Sequence, residues 1–159
     1  MSFTPEPGFM TRAIELARHA VESGSGGPFG AIIAREGEIF AEGYNRVLID
    51  NDPTAHAEVV AIRRACERAA TFELGGFELY TSCEPCPMCL SAALWARVDR
   101  IVYAGTRDDA AAAGFDDRAF YAEVSAPASE RSLPMTEFMR TEAREPFALW
   151  TARADRTAY

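Results

Sequence analysis

Apolar residues recur three or four positions apart at Met10, Ile14, Ala17 and Val21. The stretch Phe9 to Ser23 is therefore predicted as an amphipathic helix, ended by the turn Gly24-Ser25-Gly26-Gly27. Two short apolar runs, Gly30 to Ala34 and Ile39 to Gly43, flank Glu36-Gly37-Glu38 and read as a hairpin with glycine in the tight turn. Asn45 to Asn51 is a connecting loop, and Thr54 is the expected N-cap of a second helix reaching Ala70. Phe77 to Thr81, bounded by Gly75-Gly76, is a strand. Pro85 suits the first turn of a helix running through Ala96, whose Met88, Leu90, Ala92, Ala93, Leu94 and Trp95 make it apolar nearly all round and so expected to be buried. Arg100 to Gly105 is a further strand. Helices and strands thus alternate as in a layered α/β fold. Beyond Gly105 the pattern weakens: Ala110 to Ala113 begins a short helix, Phe120 to Val124 and Leu133 to Met139 fit helix or strand, and Glu145 to Arg153 is a last helix before the tail Ala154 to Tyr159.

A chain of 159 residues suits one domain, residues 1–159, with no repeat or linker to divide it. Its composition, 48% hydrophobic and 25% charged, is that of a soluble folded protein. No apolar run approaches the roughly 20 residues of a membrane helix, and Met1 to Gly8 lacks the pattern of a secretory signal, so the expected location is the cytoplasm, away from membranes. All sixteen basic residues are arginines, scattered without forming a stripe. The net charge of −8 repels a phosphate backbone and disfavours a nucleic-acid partner. Without a secretory context, the four cysteines are expected as thiols or metal ligands in preference to disulfides.

Three of those cysteines, Cys83, Cys86 and Cys89, cluster. A catalytic zinc takes three protein ligands and keeps one position for water; His56, Cys86 and Cys89 supply one imidazole and two thiolates. Cys86 and Cys89 share one helix face, and a helix N-terminus favours their ionised form. The expected cofactor is one Zn2+ per subunit with a bound water or hydroxide, and Glu58 is the base that takes the water's proton. His56 and Glu58 converge only if His56 sits in the irregular first turn of its helix. The pairing of His56-Ala57-Glu58 with Pro85-Cys86-Pro87-Met88-Cys89 fits the zinc-deaminase pattern, in which the glutamate is an acid/base and not a ligand. Two alternatives stand beside it. Cys83 as a fourth ligand would close the site into a structural zinc-binding interaction domain, leaving Glu58 without a task. A Cys86–Cys89 redox pair would leave both His56 and Glu58 without one. His19 and Cys66 read as an exposed, inert side chain and a core residue.

At these motifs the sequence resembles the cytidine-deaminase superfamily. Gly27-Pro28-Phe29-Gly30-Ala31, Asn51 to Glu58, Tyr80 to Cys89 and Ala113-Gly114-Phe115-Asp116-Asp117 together look like the bacterial guanine deaminases. The resemblance implies a three-layer α/β/α fold around a central mixed sheet of about five strands. It also implies one catalytic zinc per subunit and a homodimer in which the C-terminal segment, about 140–159, is swapped over the partner's site. Carried over by position, Asn45 hydrogen-bonds a purine, Phe29, Ala57 and Phe115 line its pocket, Asp117 is a second proton carrier beside Glu58, and Tyr159 closes the site. Asp117 is preferred to Asp116 on motif alignment alone. Arg46 departs from the pattern, standing where an uncharged residue is expected, with consequences for pocket polarity or loop order. The implied reaction is hydrolysis of a free aminated base, guanine to xanthine plus ammonia, within purine metabolism. Guanosine, ammeline or another triazine or pterin, and a cytosine- or adenine-type base, are the alternatives.

Overall fold

The computed structural model describes residues 3–159; Met1 and Ser2, the start of the segment read for a secretory signal, lie outside them. The chain divides into two units, one ending at Asp117 and one running from Arg118 to Tyr159.

In the first unit the order is α1 (Pro7–Glu22), β1 (Gly30–Arg35), β2 (Glu38–Tyr44), α2 (Val47–Asp50), α3 (Ala57–Ala69), β3 (Glu78–Cys83), α4 (Pro87–Ala96), β4 (Arg100–Gly105) and α5 (Arg107–Ala112). The strands form one sheet in the order β2-β1-β3-β4. β1 pairs antiparallel with both β2 and β3, whereas β3 and β4 run parallel, with Leu79 opposite Ile101 and Thr81 opposite Tyr103. A sheet of mixed direction results, as the sequence implied. It has four strands among the described residues where about five were expected.

Strand alternation divides the core between two faces. On one, Ile32, Ala34 and Tyr80 pack with Leu16 of α1; on the other, Ala31, Ile33 and Leu79 pack with Ala57, Ala61 and Ala65 of α3 and Ala93 and Ala96 of α4. Ile32 and Ile33 are both fully buried, which stabilises by about 1.5–3 kcal/mol each and explains why β1 reads as a continuous apolar run. α3 lies so close to β2 that a methyl group at Gly43 would strike the Ala57 carbonyl oxygen and come within 2.6 Å of Ala61 N. The glycine lets the first turn of α3 sit directly against β2.

Three local expectations are corrected. Thr54 is not the N-cap of α3: its N–H and hydroxyl both donate to Asp52 Oδ1, at 2.8 and 2.7 Å, which holds its side chain in a turn, and the helix starts at Ala57 with His56 as N-cap. The helix expected from Pro85 starts at Pro87, with Cys86 as N-cap. That helix is also not buried all round, because only its Pro87, Cys89, Ala93 and Ala96 face is covered, while Leu94 and Trp95 are 70% and 65% exposed.

The second unit holds α6 (Arg118–Ser125), a 3-10 turn at Ala128–Glu130 and α7 (Arg140–Ala152). Phe120 to Val124 is thus helical, and Leu133 to Met139 forms no regular element. Pro134 removes a ladder donor from that segment, and Leu133 and Phe138 are exposed, so it adds no fifth strand. Arg131 ties the segment's start to α6 through the Glu123 and Ala126 carbonyls, each at 3.1 Å.

Candidate functional site

The two helix N-termini of α3 and α4 build the centre of the site. His56 has an extended backbone, φ −68° and ψ 154°, and so does Cys86, φ −66° and ψ 168°; neither spends its side chain on capping. Pro87 follows Cys86 at the first helical position, where its missing N–H is not needed. One further turn on, Cys89 lies on the face turned inward and is fully buried. His56 Nδ1 is 3.6 Å from Cys86 Sγ and 3.4 Å from Cys89 Sγ. These three donor atoms lie within 4.8 Å of one another and form the group of residues able to hold a metal ion among the described residues. All four cysteines are free thiols.

One imidazole nitrogen and two sulfurs are the donor set of a zinc site that keeps a coordination position open. The electrostatics agree. Cys86 is pushed down to about 4, chiefly by a hydrogen bond from Cys89 and further by His56. Cys89 is held up by the same bond and by burial, so the first proton leaves Cys86, and a bound cation is what would release the second. His56 is raised by its hydrogen bond with Cys86.

Cys83 is outside this group. Its thiol points to the Thr106 carbonyl oxygen at 3.5 Å and is pushed up to about 11 by burial. The closed four-ligand site therefore lacks its fourth donor. Glu58, the second residue of α3, is 6% exposed, and its carboxyl is raised above the ordinary range by burial. Its carboxyl and the Cys89 thiol act on one another's proton affinity, lowering the first and raising the second. Ala57, between the two functional residues, is fully buried.

The residues carried over by resemblance are arranged as follows. Asn45 is 4% exposed at the end of β2; its N–H donates to Phe29 O at 2.9 Å and its Oδ1 accepts from Val47 N–H at 3.2 Å. Arg46 N–H donates to Ala55 O at 3.0 Å, which ties this loop to the residue before His56. The Arg46 guanidinium donates to both Asp50 oxygens at 2.8 Å and to the Tyr44 hydroxyl at 2.9 Å. Phe29 and Phe115 meet edge to face, with centroids 5.0 Å apart. Asp117 is half-buried and raised by burial and then by Cys86, with Arg107 opposing. Tyr159 belongs to the second unit, where its ring meets Trp150 edge-on at 6.3 Å.

Two connections escaped the reading of the sequence. Glu84, just before the metal-binding pair, accepts from Arg107 N–H at 3.1 Å and from its guanidinium at 2.7 Å, while Glu84 N–H donates to Gly105 O at 2.8 Å. The loops after β3 and β4 are thereby clasped, and with them Cys86 and α5. Parallel pairing of β3 and β4 was the missing signal. The second is the glycine pair Gly26-Gly27, read only as a turn, against which Asn45 and Phe115 pack.

Comparison with known proteins defines the class first. Residues 5–105 match the model of the cytidine and deoxycytidylate deaminase zinc-binding region, and the chain belongs to this family of zinc-binding deaminases. Within it, the chain is 50% identical over 151 residues to guanine deaminase of Bacillus subtilis, covering 95% of this chain and 97% of that protein. The X-ray structure of guanine deaminase from that organism superimposes with a TM-score of 0.94 at 49% identity, over 98% of this chain and 99% of the other. A tRNA-specific adenosine deaminase of Aquifex aeolicus is 44% identical over 95 residues, 60% of this chain and 62% of that protein. The structure of NE0047 in complex with 2,6-diaminopurine matches with a TM-score of 0.65 and 37% identity, over 69% of this chain and 61% of that one. This is the α/β fold of a zinc hydrolase acting on carbon–nitrogen bonds, and no helix among the described residues is long and apolar enough to cross a membrane.

Proposed function

We propose that this protein hydrolyses guanine to xanthine and ammonia, as a cytoplasmic enzyme of purine metabolism. The carrying observation is that His56, Cys86 and Cys89 converge beside the buried Glu58, in a chain that aligns end to end with a guanine deaminase. Free-base recognition is favoured over tRNA by the net charge of −8, and by the 8-azaguanine and 2,6-diaminopurine held by the structural neighbour NE0047.

His56 Nδ1, Cys86 Sγ and Cys89 Sγ would hold one zinc ion per subunit. When bound, zinc supplies a Lewis acid that makes water acidic enough to act as a nucleophile near neutral pH. Glu58 takes the proton of the attacking water. Its raised pKa, a consequence of burial, lets it hold that proton and return it to the reacting base. A C–O bond forms at the carbon bearing the amino group, the C–N bond breaks, and the nitrogen leaves as ammonia. Asp117, raised in the same direction, is the second carrier, delivering a proton to the departing amine. Asn45 orients the base. Since Val47 N–H engages Oδ1, the Nδ2 amide is the donor available to a ring nitrogen or carbonyl of the substrate. Phe29, Ala57 and Phe115 wall the pocket, excluding water around the flat ring.

We also propose a single catalytic domain, a homodimer, and exchange of the segment about 140–159, so that Tyr159 closes the partner's site. The exposed apolar side chains Leu94 and Trp95 on α4, and Phe147 and Leu149 on α7, are surface that a second copy would cover. A panel of guanine, guanosine, ammeline, adenine, cytosine and tRNA tests the substrate. Guanine is expected to be turned over fastest, and preference for any other member would replace it.

A further inference from the structure

Ser25, Gly26 and Gly27 occupy the loop between α1 and β1, and that loop is held from both sides. Ser25 N–H and Gly26 N–H both donate to Ala20 O, at 2.9 and 3.3 Å, and Ser25 O accepts from Leu48 N–H at 3.1 Å. The backbone therefore has little room to retreat. Neither Gly26 nor Gly27 has a positive φ, so an alanine would adopt either backbone without strain. What the positions lack is space. A methyl group on Gly26 would overlap the Asn45 carboxamide oxygen, lie 2.9 Å from Asn45 Cγ and 3.0 Å from Asn45 O. On Gly27 it would lie 2.9 Å from Phe115 Cζ and 3.0 Å from Phe29 Cε2.

We propose that Gly26 and Gly27 are positioning residues for base recognition: their bare backbone is the seat on which the Asn45 carboxamide and the Phe29–Phe115 edge contact are set. The proposal rests on the reading of Asn45 and the two phenylalanines as the base pocket. Asn45 is anchored at three points, its N–H on Phe29 O, its Oδ1 under Val47 N–H and the Oδ1 end of its carboxamide against Gly26, and this fixes the direction in which Nδ2 is presented. Gly27 sets how closely the rings approach, and with it the width available to a planar ligand. An alanine at Gly26 turns the amide away while leaving His56, Cys86, Cys89 and Glu58 in place. Recognition should fall without loss of metal.

The test compares Gly26→Ala, Asn45→Ala and the double variant, with Gly75→Ala as control, since Gly75 has an ordinary φ and nothing within 4 Å of an added methyl. Bound zinc, thermal midpoint, KM and kcat are measured with guanine, or with whichever base the wild type deaminates. Wild-type turnover of guanine tests the functional reading by itself. The seat is tested by differences among variants. Gly26→Ala is expected to keep its zinc and raise KM by about tenfold, the loss of roughly one oriented hydrogen bond. The double variant is expected to be no more than about twofold worse than Asn45→Ala, because both changes remove the same contact. Gly75→Ala should match wild type, and Gly27→Ala should raise KM with zinc retained. A Gly26→Ala KM within twofold of wild type, or additive effects in the double variant, would overturn the proposal. If Gly26→Ala does not fold, the double variant should, since the overlapping carboxamide is gone; failure of both would overturn it equally.

Discussion

His56 and Cys86 are the N-cap residues of two different helices, and His56 Nδ1 and Cys86 Sγ lie 3.6 Å apart. Because an N-cap residue has extended backbone, its side chain leaves the helix cylinder and can meet a donor from another element. The same arrangement places the positive ends of two helix dipoles beside the sulfurs, which favours thiolate over thiol. It also resolves the spacing of His56 and Glu58. Two apart within a helix they would diverge, but His56 stands outside α3 and Glu58 inside it.

Bound metal follows directly from this geometry. Cys86→Ala and Cys89→Ala are expected to purify without zinc, and Cys83→Ala with one zinc per chain, as measured by atomic emission. Chelating the metal from wild type should lower its thermal midpoint, since zinc binds only the folded arrangement. Loss of zinc from Cys83→Ala would assign the fourth coordination position to that thiol.

Glu58→Gln removes the carboxylate and keeps side-chain volume. The variant is expected to hold zinc and fold, while kcat drops by roughly 10²- to 10⁴-fold, the usual contribution of a general acid–base. Turnover within tenfold of wild type would remove Glu58 from the proton path.

Stability against pH is expected to report the Arg12–Glu42 pair, where Arg12 Nε to Glu42 Oε1 is 2.7 Å and Arg12 NH2 to Oε2 is 2.9 Å. Hydrogen bonding to Arg12 lowers the Glu42 pKa below its ordinary value in the folded chain. The folded state thus binds that proton less readily than the unfolded state. The stabilisation is fully present above the ordinary glutamate range and is lost as pH falls through the depressed value. Both side chains are over a third exposed or close to it, so screening limits the effect of Glu42→Gln to about 0.5–1 kcal/mol at pH 7. Urea unfolding of variant and wild type should differ at neutral pH and converge in acid; a difference unchanged in acid would contradict the assignment.

Deleting residues 154–159 is expected to reduce kcat/KM more than the thermal midpoint, because Tyr159 is proposed to act on the site and α7 ends before it at Ala152. An unchanged rate would remove Tyr159 from the pocket.

Much of the fold was legible because local patterning and tertiary packing agree in the first unit. β4 has the bounds its apolar run suggested, and β1 is buried from Gly30 to Ala34, in keeping with its run of Ala31, Ile32 and Ile33. The ligands were legible because zinc demands particular atoms at particular spacings. What was not legible depends on partners distant in sequence. Asp52 competes with α3 for the Thr54 hydroxyl, Glu84 reaches Arg107 across parallel strands, and Asn45 shapes the need for glycine at position 26. The burial of α4 was misjudged for a related reason: apolarity all round does not say which side of a helix the rest of the chain covers, and here that side is Pro87, Cys89, Ala93 and Ala96.

The most direct measurement of the central claim is xanthine formation from guanine by zinc-loaded wild type, followed by purine absorbance together with released ammonia, with Glu58→Gln alongside. Stoichiometric xanthine and ammonia from the wild type, lost on chelation and in Glu58→Gln despite retained zinc, is the predicted result. Absence of zinc-dependent turnover of guanine in protein carrying one zinc per chain would contradict it.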